Sequence, residues 1–150
     1  MYLTAKESQW ISVQEDIKAL SPKELLRIHY RLLRQYDIKF ARVVLAQEVH
    51  ETDWFSSNIY KENFNRFGMK TNSRDFDIGE NRNHAVYPDF IASIKDYAAW
   101  QKRRLELNPW VKTEDDYIKM LVKVGYAEDK NYARHIKFRL KQISYLGELQ

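Results

Sequence analysis

The chain has 150 residues, 44% of them hydrophobic and 31% charged, a globular mixture that excludes an intrinsically disordered protein. Four glycines and three prolines are too few for a turn-rich β sandwich or barrel, and the absence of cysteine excludes disulfides and thiolate metal sites. A formal charge of +4 suits an anionic partner, whether nucleic acid, a membrane surface or a bacterial cell wall, without choosing among them. The length fits one domain spanning 1–150, mainly α-helical.

In chain order, residues 1 to about 20 form an amphipathic helix or an ordered arm, with Trp10, Ile11, Ile17 and Leu20 apolar. "SPKE" marks a helix start: Ser21 as N-cap, Pro22 at the first helical position, and Glu24 placed to complete a capping box. The apolar spacing of Leu25, Leu26, Ile28, Leu32 and Leu33 carries that helix to about Tyr36–Asp37. A second helix, from about Ile38 to Thr52, is apolar over most of its circumference and belongs at the centre of the fold. Residues 54–89 are rich in Asn, Asp and Ser and show no long helical period. A lobe of loops with a short hairpin, forming one wall of a cleft, is expected there. Helical spacing returns from Phe90 to Leu105, through Ile94, Tyr97 and Trp100, and "NPW" breaks it. Thr113 with Asp116 opens another helix, which Gly125 ends. The last helix runs from about Asp129 to Ile143, with Tyr132, Ile136 and Leu140 on one side.

One segment stands apart chemically. In "VVLAQEVHETDW" (residues 43–54), Phe40, Val43, Val44 and Gln47 share one face at about 100° per residue, with Glu51 in the middle of it and Glu48 to one side. A carboxylate aimed along a buried stripe must find donors or take up a proton. A Glu whose pKa is raised in this way suits a general acid. The alternative is that Glu51, near the helix end, simply reaches water.

The blocks "AQEVHETDWFSS", "NFNRFGMK", "AVYPDFIASIKDYAAW" and "GYAEDKNYARHI", in that order over residues 41–136, resemble the glucosaminidase family of bacterial peptidoglycan hydrolases. The resemblance implies a lysozyme-like helical fold with a cleft and cleavage of N-acetylglucosaminyl linkages in peptidoglycan glycan strands. It puts Glu51 at the position of the general acid. A second carboxylate, in the family, comes from the lobe between the second and third blocks. Here Asp75, Asp77 and Glu80 fall in that interval, and Glu80, beside Gly79, is the choice. The substrate's own acetamido oxygen is the alternative nucleophile. Tyr126 and Tyr132 match the tyrosines that the family places at the cleft. Two positions depart from the family pattern: Asp53, where Gly is frequent, and Arg66, where Leu is frequent.

Aromatic rings at Trp54, Phe67 and Tyr87 can line sugar subsites or pack beneath the loops, and the Asn65 amide suits either a loop or an N-acetyl group. "HETD" lacks the HExxH spacing of a helical zinc site, so no metal and no cofactor is expected. Nucleic-acid binding is disfavoured because 21 acidic residues are mixed with 25 basic ones. A non-catalytic glycan-binding module remains the other alternative. No apolar run approaches the length of about 18 residues that spans a bilayer. "MYLTAKESQWISV" has no signal-peptide pattern, although a cell-wall substrate implies periplasmic, extracellular or phage-delivered action. A monomer is expected.

Overall fold

The computed structural model describes residues 20–70 and 76–145; the expected N-terminal helix and Asp75 lie outside them. Helix α1 (Pro22–Gln35) begins where the sequence places it. Ser21 Oγ accepts the Glu24 N–H at 3.3 Å and donates to the Glu24 carboxylate at 2.8 Å, with Pro22 in the first turn. Its inner face buries Leu25, Leu26, His29, Leu32 and Leu33.

Helix α2 (Ala41–Thr52) starts three residues later than its apolar pattern suggests, because Phe40 precedes it in a left-handed conformation (φ 53°) that no helix interior accepts. It is the central element. Every residue from Val43 to Val49 is buried, and the helix packs most extensively on α6 (Tyr132–Tyr145), then on α1 and α5 (Glu114–Lys123). With neighbours on so many sides, α2 has hardly any solvated face. The carboxylate buried most completely is therefore Glu48 rather than Glu51.

The lobe after α2 opens with three consecutive left-handed residues, Asp53, Trp54 and Phe55. A short helix α3 (Asn58–Asn63) follows, and then the expected hairpin, β1 (Gly79–Asn81) antiparallel to β2 (His84–Val86) with Glu80 opposite Ala85. Its central turn residues, Arg82 and Asn83, both have positive φ, as a two-residue hairpin of right-handed twist requires. Two asparagines anchor it. Asn63 Nδ2 donates to the Asn81 carbonyl at 3.0 Å, and Asn65 Nδ2 donates to the Met69 and Ala85 carbonyls at 2.8 and 2.9 Å.

Helix α4 (Phe90–Leu107) is capped by Asp89, whose carboxylate accepts the Ala92 N–H at 2.8 Å. It runs two residues beyond its expected end. Helix α5 starts with the full capping box of Thr113 and Asp116, and Gly125 (φ 69°) follows its C-cap, Val124. Helix α6 starts at Tyr132 rather than Asp129, because Asp129 Oδ1 accepts the Asn131 N–H and forms a turn ahead of the helix. No helix among the described residues is long and apolar enough to cross a membrane.

Candidate active site

A groove of about 420 Å³ runs between the hairpin lobe and the α5–α6 corner. Glu51, Gly68, Met69 and Lys70 line it on one side with His84; Trp100, Arg104, Tyr126 and Glu128 line the other. It is polar, with cations and carboxylates interspersed and two aromatic rings. Trp100 and Tyr126 meet edge to face at 5.2 Å between centroids. Rings so placed can stack on the apolar face of a sugar.

Glu51 comes from the last turn of α2, and its carboxyl is half-buried at the groove's head. Tyr132 donates to Oε1 at 3.3 Å. On the other side Gly68 approaches so closely that a Cβ there would lie 2.6 Å from Oε2. Burial raises the Glu51 pKa to about 7, against the downward pull of the Tyr132 hydroxyl and with a further push from the negative charge of Asp129. The carboxyl is thus poised between its charged and neutral forms near neutral pH.

Gly68 (φ 68°) makes this possible twice over, by adopting a left-handed backbone and by leaving room for the acid. Gly68→Ala is expected to cost about 1–2 kcal/mol for the backbone alone, and more from the clash. Denaturant unfolding measures it; an unchanged midpoint would mean that the glycine is not needed for the approach.

Behind Glu51 a chain of hydrogen bonds crosses the core. Gln101 is fixed by the Lys39 backbone, accepting its N–H and donating to its carbonyl, both at 2.8 Å, and it donates to the Tyr117 hydroxyl at 2.9 Å. Tyr117 meets the Tyr97 hydroxyl at 2.6 Å, Tyr97 donates to Gln47 Oε1 at 2.5 Å, and Gln47 Nε2 donates to the Tyr132 hydroxyl at 3.0 Å. Gln47 lies on the inner face of α2 and Tyr97 on the apolar side of α4, and their buried polar atoms are all partnered through this chain.

The structure brings Glu51, Tyr126 and Tyr132 together: Tyr126 stacks on Tyr132 at 5.9 Å and donates to the Phe67 carbonyl at 2.6 Å. Phe67 is fully buried against Tyr97, and Tyr87 is buried and donates to Asp96. Asn65 is fully buried as well, with its amide holding the loop and its Oδ1 accepting the Phe67 and Met69 N–H groups. Trp54 is half-buried and does not line the groove. Glu80 is exposed on β1, opposite Ala85, whose N–H bonds to the carbonyl of the groove residue Met69. It does not line the groove. Trp100, Lys70, His84, Arg104 and Glu128 are groove residues that the sequence pattern did not single out. For Trp100 a signal existed, because it lies three residues after Tyr97 on the same face of α4.

Arg66 is fully buried, its Nε bonded to the equally buried Glu48 carboxylate, with its guanidinium 5.6 and 6.0 Å from the ring centroids of Phe67 and Phe90. His29 Nδ1 lies 3.5 Å from the same carboxylate, and burial together with the Arg66 charge keeps that imidazole well below its usual pKa.

The family model described as mannosyl-glycoprotein endo-beta-N-acetylglucosaminidase, the glucosaminidase family, matches residues 27–144. The peptidoglycan hydrolase FlgJ of Salmonella typhimurium is 26% identical over 127 residues, and the alignment spans 71% of this chain and 40% of that protein. The glycoside hydrolase domain of the same FlgJ superposes with a TM-score of 0.63 at 24% identity, over 86% of this chain and 92% of the domain. The catalytic domain of the autolysin Auto from Listeria monocytogenes superposes with a TM-score of 0.56 at 19% identity, over 100% and 98% of the two chains. These superpositions extend the likeness to the whole helical frame around the groove. Because the matched span runs from α1 into α6 and contains the groove's full lining, the chain belongs to the glucosaminidase family.

Proposed function

We propose that the protein hydrolyses N-acetylglucosaminyl linkages in peptidoglycan glycan strands, with Glu51 as the proton donor. The observation that carries this reading is a half-buried carboxyl, its pKa raised to about 7, at the head of a groove with two aromatic rings. Such a group retains its proton near neutral pH and can deliver it to a leaving sugar oxygen. The similarity to a hydrolase of peptidoglycan supports the choice of polymer, and the net positive charge suits an anionic wall. The site of action would accordingly be the cell wall. Tyr126 and Trp100 would carry the sugar rings, and Tyr132 would hold the acid in place. Trp54, Phe67, Tyr87 and Asn65, proposed from sequence as subsite residues, would act from beneath by shaping the groove's floor and the hairpin.

Mass spectrometry of reduced muropeptides after digestion of purified walls tests the bond. New reducing ends on N-acetylglucosamine are expected; new ends on N-acetylmuramic acid would overturn the assignment.

Glu80 is the proposed second carboxylate, reaching over the rim to a bound strand as base or nucleophile. Glu80→Gln is expected to lower turnover about a hundredfold, the usual scale for a positioned acid–base group. Turnover within a few-fold of the parent would instead assign the step to the substrate's acetamido oxygen.

A further inference from the structure

His50, Asp129 and His135 lie side by side at the junction of the α2 C-terminus and the start of α6, each offering a ligand atom within 4.8 Å of the other two. They come from two distant parts of the chain, so no single-helix spacing announces them. We propose that this cluster binds a divalent transition-metal ion of the zinc class through two imidazoles and one carboxylate.

Three features support it. The ligand set is the mixed nitrogen and oxygen set that such ions prefer, whereas magnesium and calcium favour oxygen alone. Asp129 is preoriented, because Oδ1 is occupied by the Asn131 N–H while Oδ2 faces His135 Nδ1 at 2.5 Å. His50 Nδ1 is buried and has no hydrogen-bond partner among the described residues. His29 Nδ1 shares that condition but lies 3.5 Å from the Glu48 carboxylate, deep in the core and outside the cluster. Around tetrahedral zinc, with bonds of about 2.0–2.1 Å, ligand atoms lie roughly 3.4 Å apart, so pairs as wide as 4.8 Å must close by up to about 1.4 Å and the His135–Asp129 pair at 2.5 Å must open by about 0.9 Å. Asp129 is exposed and His135 half-buried, so both have room to rotate. Arg139 is a nearby positive charge acting on His50, and its guanidinium is engaged with Gln142 at 3.0 Å. The ring of Tyr132 packs edge-on against His50 at 5.9 Å, so an ion here would clasp α6 to α2 directly behind the groove.

The test is a titration of chelator-treated protein with zinc against a chromophoric competitor, together with cobalt absorption spectra. One ion per chain with micromolar or tighter affinity is expected, with a tetrahedral cobalt spectrum and an unfolding midpoint that rises with zinc. Asp129→Asn, which keeps the turn, and His135→Gln should each weaken binding by about a hundredfold, using the cost of disturbing a metal site's surroundings as the lower guide. His84→Gln, on β2 and outside the cluster, should leave it unchanged. Absence of stoichiometric binding, or equal binding by the parent and both ligand variants, would overturn the proposal.

Discussion

Glu51→Gln is expected to reduce hydrolysis of purified cell walls by about 10²–10⁴-fold, the contribution of a positioned general acid. The amide keeps the shape and the Tyr132 contact but has no transferable acid proton. In the parent, the fraction of protonated Glu51 falls as pH rises through about 7, so the rate should decline on the alkaline side of that value. The same substitution has the opposite effect on stability. Burial lifts the Glu51 pKa from 4.5 to about 7, so its contribution to folding is fully present below pH 4.5 and is lost as pH rises through 7. Above pH 7 the ionised carboxylate then disfavours the folded state by about 3 kcal/mol. The Gln variant escapes that loss. It should unfold at a higher denaturant concentration than the parent at pH 8, with the difference vanishing near pH 4. A variant with full activity, or with parental stability at both pH values, would show that Glu51 is not the sheltered acid.

The second large effect is structural. Arg66→Leu restores the residue common in the family pattern but leaves Glu48 buried without its counter-ion. Breaking a buried pair from one side costs about 3–5 kcal/mol, or roughly 6–20 °C in the unfolding midpoint of a domain this size. Protonation of Glu48 relieves the penalty. With Arg66 gone, burial acts unopposed to raise the Glu48 pKa above its ordinary 4.5. The deficit should therefore be small in acid and grow as pH rises above that value. The double replacement Glu48→Leu with Arg66→Leu removes both charges and should recover most of the loss. A single Arg66→Leu variant as stable as the parent at neutral pH would mean that Arg66 contributes nothing beyond its volume.

Much of the frame was legible in the chain. The caps at Ser21 and Thr113, the apolar stripe of α1, the stop at Gly125 and the hairpin within residues 54–89 all follow from local chemistry, and local chemistry is what sequence records. Boundaries failed where backbone torsions decide them. Phe40 gives no hint that it will adopt φ 53° and delay α2, and Asp129 closes a turn where periodicity extends a helix. Glu51 could be singled out because its helical face was marked by Val43, Val44 and Gln47. The Glu48–Arg66 pair could not, because it joins a helix to a loop 18 residues on and helical periodicity cannot reach across. The groove's second wall was missed for the same reason: Trp100 and Arg104, one turn apart on α4, meet Tyr126 and Glu128 only through the packing of α4 against the α5–α6 corner.

The hydrogen-bond chain behind Glu51 has a handedness that its residue list conceals. The Lys39 peptide fixes which end of the Gln101 amide faces Tyr117, so the Tyr117 oxygen must receive and its hydrogen must point to Tyr97. The same sense passes through Gln47 to Tyr132, whose hydrogen then has nowhere to go but Glu51 Oε1. That oxygen is thereby reserved as a receiver, and a neutral Glu51 keeps its hydrogen on Oε2, the atom against the Gly68 notch. The backbone of a residue twelve positions upstream thus selects which of two chemically equivalent oxygens carries the proton.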